Sequence, residues 1–245
     1  MLELTKKLIK KILPKKYLMG VIYYKQKLDN QHDAEMIYVS KILNNKRRFL
    51  DIGANFGVYS YHFKDTFKNI DAFEPIGEVP RIDCFQNDFF KVHNVALSNN
   101  YGTIKLNIPI ENGKISPGLA SLEKRHGECE VRTVNVNTVD SYNFDDVDLI
   151  KIDVEGHEKQ VIEGALKTIK KTMPIMIVEI EQRHIQQEID EVFQRILNHN
   201  YNGYFFLDGS LTPLKEFSYE LHQKPYLENV YAKKYVNNFI FIPNN

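Results

Sequence analysis

Several features that would point to a particular class of protein are scarce in this sequence. Basic and acidic residues balance at 32 each, so the whole molecule carries no net charge that would favour a polyanion, and we expect no nucleic acid partner. The two cysteines, Cys84 and Cys129, form no C-x-x-C pair and have no histidine cluster nearby. This argues against a disulfide scaffold or a structural zinc site and favours a reducing, cytoplasmic setting.

Long apolar runs are scarce as well. The longest one near the N-terminus, residues 17–24, is much shorter than the roughly 20 residues of a membrane-spanning helix, and no signal-peptide cleavage pattern follows it. We therefore expect the chain to stay in the cytoplasm. With 43% hydrophobic residues it can bury one substantial core, so we predict one domain over residues 29–245, preceded by a separate segment over residues 1–28.

The segment of residues 1–28 carries eight lysines against one glutamate. Leucine and isoleucine recur at helical spacing opposite the lysines, which predicts a basic amphipathic helix ended or kinked by Pro14. This helix either contacts an anionic membrane face peripherally, where a lipid-linked substrate would lie, or packs its apolar stripe on the domain. A second helix, predicted over residues 33–43, should lie over the ligand cleft.

The stretch RRFLDIGANFGVYS, residues 47–60, predicts the first strand of an open α/β sheet, a tight loop and a helix beginning near Phe56. Gly53 and Gly57 lack a Cβ, and a helix N-terminus offers unpaired N–H groups, so the loop with its Asn55 is a candidate ligand site. A mere tight turn is the alternative.

The ligand of this loop should not be a dinucleotide. The loop lacks the G-x-G-x-x-G pattern, which argues against an NAD-dependent oxidoreductase, and Asp51 at the strand end would repel a phosphate. An acid there suits a cationic ligand such as S-adenosylmethionine, which has an ammonium, a sulfonium and no phosphate. Asp51 could instead serve only as a cap for the following helix.

Strands and helices then alternate, as in a doubly wound fold. The second strand, residues 69–75, ends in Glu74, where α/β nucleotide folds place a carboxylate that accepts hydrogen bonds from both ribose hydroxyls. A third strand over residues 90–98 is expected to form a hairpin with residues 103–108. Its Asn94 and Ala96 either line an adenine pocket or simply pack in the strand.

Residues 109–130 form a polar segment that is too long for a simple connection. It predicts either a lid over the substrate or a flexible insertion. The strand over residues 131–139 should pair at the margin of the sheet. Later in the chain we predict a strand over residues 174–181, an amphipathic helix from Ile189 to Leu197, and strands over residues 203–207 and 238–242.

The run DLIKIDVEGHE, residues 148–158, predicts a buried strand leading into a helix that continues to Ile169. Alternation puts Lys151, Asp153 and Glu155 on one side where the strand ends. The strand over residues 174–181 brings Glu179 to the same edge. Ligands of open α/β sheets bind outside the carboxyl ends of the strands, so these ionisable groups are candidates for chemistry.

Among these groups Asp153 is the first candidate for a general base, because it leaves the strand beside the glycine loop. His157 is the second, since a helix N-terminus favours a neutral imidazole, although a surface histidine would look the same. Lys151 either keeps a carboxylate ionised or is a structural partner. Asp153 and Glu155 could instead hold a divalent cation, but no third ligand is evident, so we predict no metal requirement.

The motifs FLDIGANFGVYS, DAFEP, NVALSNNYG, LIKIDVEGHEKQVIEGA, VEIE and NFIFIP, in this order, resemble those of FkbM-type S-adenosylmethionine-dependent methyltransferases. The resemblance covers about residues 47–243, and KIDVEG is its most specific element. It implies a Rossmann-like class I methyltransferase fold, α/β, with helices on both faces of a mostly parallel seven-stranded sheet whose last strand is antiparallel.

The same resemblance implies O-methylation of a hydroxyl, often on a sugar or glycan acceptor. We expect acceptor specificity in the N-terminal segment and in residues 109–130, which lie outside the motifs. Two alternatives stay open, an NAD-type oxidoreductase and a non-catalytic binding module. The second would need no ionisable cluster around Asp153.

Overall fold

The computed structural model describes residues 20–21, 23–24, 34–77, 86–111, 113–123 and 127–244. Most of the predicted basic helix, with Pro14, lies outside these ranges, as does Cys84. The four described residues of the N-terminal segment are helical. Over the described parts of the chain, every helix is too short or too polar to cross a membrane.

The helices in these ranges lie on both sides of a large central sheet. They are α1 (Ala34–Ile42), α2 (Val58–Phe63), α3 (Glu158–Glu163), α4 (Leu166–Thr172), α5 (Ile189–Leu197) and α6 (Tyr219–His222). The strands of the central sheet are β1 (Arg48–Ile52), β2 (Asn69–Phe73), β3 (Phe90–His93), β8 (Val147–Ile152), β9 (Ile175–Glu179), β10 (Tyr201–Leu207), β11 (Ser210–Pro213) and β12 (Asn238–Pro243). A smaller sheet contains β4 (Ala96–Leu97), β5 (Gly102–Glu111), β6 (Lys114–Ile115) and β7 (Cys129–Asn137).

The central sheet has the order β11-β10-β12-β9-β8-β1-β2-β3. Six strands are parallel, and β12 runs antiparallel between β9 and β10, as predicted for the last strand. The predicted count of seven strands is wrong by one. The eighth strand, β11, exists because Asp208 and Gly209 have positive φ angles of 49° and 79°, which form a two-residue hairpin turn at the end of β10.

Side chains of the central strands alternate between two apolar layers. On one face, Phe49 and Ile177 pack with α1 and α2. On the other face, Ile150 and Phe239 pack with α3, α4 and α5. This two-sided burial explains why the strands are almost continuously hydrophobic and fixes which side chains reach the carboxyl edge of the sheet.

The region between β3 and β8 departs from the prediction. The strand expected over residues 90–98 is split, because the N–H of Val95 bonds the carbonyl of His93 at 2.9 Å and turns the chain out of the central sheet. Strand β5 pairs antiparallel with β7, from Gly102 opposite Val136 to Pro109 opposite Cys129. The predicted hairpin with residues 90–98 and the marginal position of β7 are therefore wrong. An alternating strand can pair with any partner of matching length, so its periodicity does not choose the partner.

The described parts of the segment 109–130, which are residues 109–111, 113–123 and 127–130, contain regular structure. Strand β6 folds back on the end of β5, a 3-10 turn spans Pro117–Leu119, and Ser121 bridges to Asn107 of β5. Helix α1 packs against β9, β10 and β12. The prediction that this helix lies over the ligand cleft is wrong, because α1 does not line the cleft beside the glycine loop. The predicted single helix after β8 is interrupted at Gly164, where a Cβ would lie 1.9 Å from the carbonyl oxygen of Ser98.

Candidate active site

A cavity lies at the carboxyl edge of the central sheet beneath the 3-10 turn Pro117–Leu119. The glycine loop, the end of β2, strand β4, the segment over residues 106–122 and the residues after β8 all contribute to its wall. The lining residues are Ile52, Gly53, Asn55, Phe73, Glu74, Pro75, Val95, Ala96, Leu97, Leu106, Pro117, Gly118, Ala120, Leu122, Asp153, Val154 and Glu155.

Half of the residues predicted for the site line this cavity. The six that line it are Gly53, Asn55, Glu74, Ala96, Asp153 and Glu155, and the six that do not are Asp51, Gly57, Asn94, Lys151, His157 and Glu179. The residues of the second group do not form the surface of the cavity.

Gly53 allows the glycine loop to approach the carbonyl group of Asp153 closely. Its φ is +76°, and a Cβ there would lie 1.7 Å from the carbonyl oxygen of Asp153. The missing Cβ therefore makes room for the end of β8, and because Gly53 also lines the cavity, its contact with a ligand stays a prediction. Gly57, also with a φ of +76°, takes the left-handed conformation just before α2.

Asp51 is turned away from the cavity and is 2% exposed. One carboxylate oxygen accepts hydrogen bonds from the N–H and the hydroxyl of Ser60, at 3.0 and 2.5 Å. Burial raises the pKa of Asp51 to about 6, although Ser60 and Lys151 oppose that shift. These two hydrogen bonds support helix α2, and the predicted contact of Asp51 with a cofactor stays a prediction.

Glu74 faces the cavity from the end of β2. Its oxygens accept hydrogen bonds from the N–H groups of Asn55 at 3.0 Å and Ile76 at 2.9 Å. Burial raises the pKa of Glu74 to about 7, and the two hydrogen bonds oppose the shift. Beside it the side-chain oxygen of Asn55 is buried without a hydrogen-bond partner, so two polar acceptors converge on one wall.

Asp153 stands opposite Glu74, directly after β8. The carboxyl edge also holds Glu179, and desolvation together with the negative charge of Asp153 raises the pKa of Glu179 well above its usual range. Lys151 lies beneath them, with its ammonium 3.9 Å from Glu179, bonded to the side-chain oxygen of Asn238 at 2.8 Å and 5.0 Å from the ring centre of Tyr59. Carboxyls this close do not ionise together easily, so Glu179 retains a proton more readily.

His157 is buried behind the cavity. One ring nitrogen lies 2.8 Å from the hydroxyl of Ser98, and the other lies 2.7 Å from the carboxylate of Glu123. The imidazole therefore joins the end of β4 to the segment that covers the cavity. A direct role as base is not supported by this position, because no part of His157 lines the cavity.

Glu155 has a positive φ of 56°, and its carboxylate lies 3.0 Å from the Nδ1 atom of His184. Its carbonyl oxygen accepts a hydrogen bond from Ser121 at 2.6 Å, which ties the covering segment to the loop after β8. Over the described residues, His, Cys, Asp and Glu side chains form no group of three that could hold a metal.

Some residues of the site were not predicted. Asn237 bonds Glu179 at 2.9 Å, and Asn238 bonds Lys151. Glu158 is 2% exposed and accepts an N–H of Gly156 at 2.9 Å, and burial raises its pKa to about 7. The two asparagines come from the start of the last strand, and only the position of that strand next to β9 could have indicated them.

A family model described as the methyltransferase FkbM domain matches residues 51–203, more than half of the chain. The chain belongs to the FkbM methyltransferase family. The match contains the glycine loop, Glu74 and the residues after β8, and it ends within β10. No curated protein matches the sequence.

Solved structures with a similar fold are also methyltransferases. Methyltransferase FkbM from Methylobacillus flagellatus KT is 16% identical with a TM-score of 0.52, and the alignment covers 85% of this chain and 47% of that one. This chain therefore spans about half the length of that relative. A TehB-like SAM-dependent methyltransferase from Corynebacterium glutamicum is 11% identical with a TM-score of 0.46, and the coverage is 90% and 96%. The plantazolicin methyltransferase BpumL, solved with SAH, is 12% identical with a TM-score of 0.43, and the coverage is 97% and 93%.

Proposed function

We propose that this FkbM methyltransferase transfers a methyl group from S-adenosylmethionine to a hydroxyl oxygen of a sugar in a glycan or polysaccharide. The observation that carries the proposal is that Glu74 and Asp153, within an FkbM domain, face one cavity at the carboxyl edge of the sheet. Ligands of open α/β sheets bind at this edge. An NAD-type enzyme is disfavoured by the glycine loop, which lacks the dinucleotide pattern.

The residues of the cavity fit such a cofactor. Apolar side chains such as Phe73, Ala96 and Leu97 provide a wall for an adenine ring, and Glu74 retains acceptor positions for ribose hydroxyls. The partnerless oxygen of Asn55 offers a further acceptor for a ligand donor. Among the described residues the lining contains acidic groups and no lysine or arginine, which suits a cationic ligand that has no phosphate.

When bound, S-adenosylmethionine supplies a methyl group on a sulfonium, and the C–S electron pair stays on sulfur as the new C–O bond forms. The part played by the protein is to hold the acceptor oxygen in line at about 3 Å and to accept its proton. We assign the proton to the carboxylate of Asp153, which lines the cavity. Glu179 and Lys151 act as positioning residues, because a protonated Glu179 leaves the negative charge on Asp153.

The segment over residues 113–123 is proposed to act as a lid. Gly118 lies over the glycine loop, where a Cβ on it would be 2.9 Å from the side-chain nitrogen of Asn55. The lid is held by contacts of Ser121 with Glu155 and of Glu123 with His157. Opening of these contacts would admit the cofactor, and closure would exclude water.

Peripheral binding to an anionic inner membrane face stays a proposal for the basic residues before Gly20. Tyr23 packs on the domain, since its hydroxyl lies 2.6 Å from His62 of α2. A Cβ on Gly20 would lie 2.9 Å from the hydroxyl of Tyr61. These close approaches support the packing interpretation for Gly20 and Tyr23 alone.

Calorimetry with S-adenosylhomocysteine and with NAD separates the three functions. The proposal predicts binding of S-adenosylhomocysteine and none of NAD. Binding of NAD instead would support an oxidoreductase, and binding of neither would support a non-catalytic module. Transfer of a radiolabelled methyl group to a sugar hydroxyl would then test the acceptor class.

A further inference from the structure

A second pocket opens at the same carboxyl edge of the central sheet, beyond β9. It lies between the start of α1, the end of β10 and the start of β12. Its polar lining comes mainly from six side chains, Glu35, Asp208, Lys233, Tyr235, Asn237 and Asn238. The aromatic ring of Phe206 adds an apolar patch, packed edge-on against Tyr38.

The strand register connects this pocket to the first cavity. Continuing the pairing of β1 with β8 and of β8 with β9 places Gly53, Asp153 and Glu179 in one row at the edge. Glu179 is paired with Asn238 of β12, and the next pair of β12 and β10 brings Phe206 into the same row. The row thus begins at the cofactor cavity and ends in the second pocket, with Glu179 between them.

The distances along this row suit one small molecule that reaches both sites. Neighbouring strands are about 4.8 Å apart, so Asp153 and Asn238, which are two strands apart, are separated by about 10 Å. Asn237 donates a hydrogen bond to Glu179, and Lys151 donates one to Asn238. The pocket wall is therefore fixed by the same polar network that supports Asp153.

The lining chemistry favours a neutral, hydroxyl-rich ligand. Amide, carboxylate and phenol groups supply both donors and acceptors, and an aromatic ring can contact the apolar face of a sugar. The charges on the rim balance, because Asp208 lies 4.0 Å from Lys234, while Glu35 and Lys233 carry opposite signs. Tyr235 is held by a hydrogen bond to Glu181, which in turn is bonded by Arg183 at 2.5 Å. Contacts within the protein thus position the side chains of this pocket.

We propose that the second pocket binds a neutral pyranose ring of the acceptor, with the adjacent sugar of the glycan extending past Glu179 to present a hydroxyl to Asp153. This inference rests on the proposed function and adds to it the place and the charge of the acceptor sugar. Glu179 and Asn238 are then specificity-determining residues. An anionic sugar would meet the carboxylates of Glu35 and Asp153 and is disfavoured.

The test variant carries a larger side chain that fills the pocket and leaves its hydrogen bonds in place. Ala34 is exposed and lies on the rim, so Ala34→Trp should place an indole in the mouth. The matched control is Ile37→Trp, at a position on the same helix that is 43% exposed and outside the pocket lining. Lys233→Trp, on the opposite rim, replaces Ala34→Trp if that variant does not fold.

The probes are the methyl glycosides of glucose, galactose, mannose and rhamnose. Their binding to the full chain is measured by saturation-transfer NMR with S-adenosylhomocysteine present. At least one glycoside should receive saturation from the parent and from Ile37→Trp. The affinity for that glycoside, obtained from the saturation signal, should fall by about tenfold or more in Ala34→Trp, which is about 1.4 kcal/mol in binding free energy. The affinity for S-adenosylhomocysteine should be unchanged.

Retained saturation in the filled variant, or none from the parent with S-adenosylhomocysteine bound, would overturn the assignment of the pocket. A parent that does not bind S-adenosylhomocysteine would overturn the proposed function itself and this site with it. The two failures are therefore distinguished by calorimetry on the same samples.

Discussion

Glu74→Gln should weaken the binding of S-adenosylhomocysteine by about 5- to 150-fold at pH 8, or about 1 to 3 kcal/mol. Both carboxylate oxygens of Glu74 already accept a backbone N–H, from Asn55 and Ile76, and each oxygen retains a second acceptor position for a ribose hydroxyl. Glutamine offers one oxygen only. Its amide nitrogen would face one of the backbone donors, so at least one hydrogen bond to the ligand is lost.

The pH dependence gives this prediction a second signature. Burial raises the pKa of Glu74 from 4.5 to about 7, whereas hydroxyl donors favour the ionised form. Binding should therefore release a proton below pH 7, and the dissociation constant should rise by about tenfold per pH unit as the pH falls. The glutamine variant has no such proton and should lack this component.

The stability of the free protein should change with pH in the opposite direction to its affinity for the ligand. A carboxyl with a raised pKa in the folded state stabilises the free protein most below pH 4.5, and this contribution is lost as the pH rises through about 7. The free protein should thus become less stable over the range in which its ligand binds more tightly. Thermal unfolding with and without S-adenosylhomocysteine measures both effects.

Calorimetry between about pH 5.5 and pH 8.5 is the direct assay. The matched control is Glu158→Gln, because Glu158 is equally buried and has its pKa raised to about 7, yet it does not line the cavity. That variant should bind S-adenosylhomocysteine as the parent does. If Glu74→Gln binds as tightly as the parent, or retains the same slope with pH, the assignment of Glu74 to the ribose is refuted.

Three further predictions concern the chemical step, the glycine loop and the N-terminal segment. Asp153→Asn should bind S-adenosylmethionine nearly normally but lose on the order of 10² to 10⁴ in turnover, whereas EDTA should not affect the parent; near-normal turnover, or EDTA inhibition reversed by Mg²⁺, would contradict this. Gly53→Ala should lower the free energy of unfolding by more than about 3 kcal/mol, because its Cβ would meet a carbonyl at 1.7 Å. The control Gly209→Ala, with φ +79° and open space, should lower it by about 1 kcal/mol. Equal losses in thermal unfolding would refute the close approach. A chain lacking residues 1–19 should fold and lose its affinity for anionic vesicles in sedimentation assays, and its aggregation would favour the packing role.

The doubly wound α/β class could be predicted because hydrophobic runs alternate with helical periods. Glu74, Asp153 and Glu179 could be placed at the carboxyl edge because each lies at or just beyond the end of a predicted strand. The eighth strand was missed, although Asp208-Gly209 between two β-rich stretches is a hairpin signal. That turn alone would have corrected the count.

Other features depend on contacts between distant parts of the chain. Asp51 was expected to meet the ligand, but its orientation is fixed by Ser60, which lies on the far side of the glycine loop. His157 was considered as a base, but Ser98 and Glu123 enclose it, and both come from the small sheet and its lid. Local patterns identify such residues as functional types without deciding whether they face the cavity.

The central claim, methylation of a sugar hydroxyl, is tested most directly by mass spectrometry of the glycans and glycolipids of cells that lack this protein. One glycan species should become lighter by one CH2 unit per modified sugar, and the parent chain should restore the mass where Asp153→Asn does not. An unchanged glycan profile, together with a CH2 loss in a protein, nucleic acid or small metabolite, would contradict the claim.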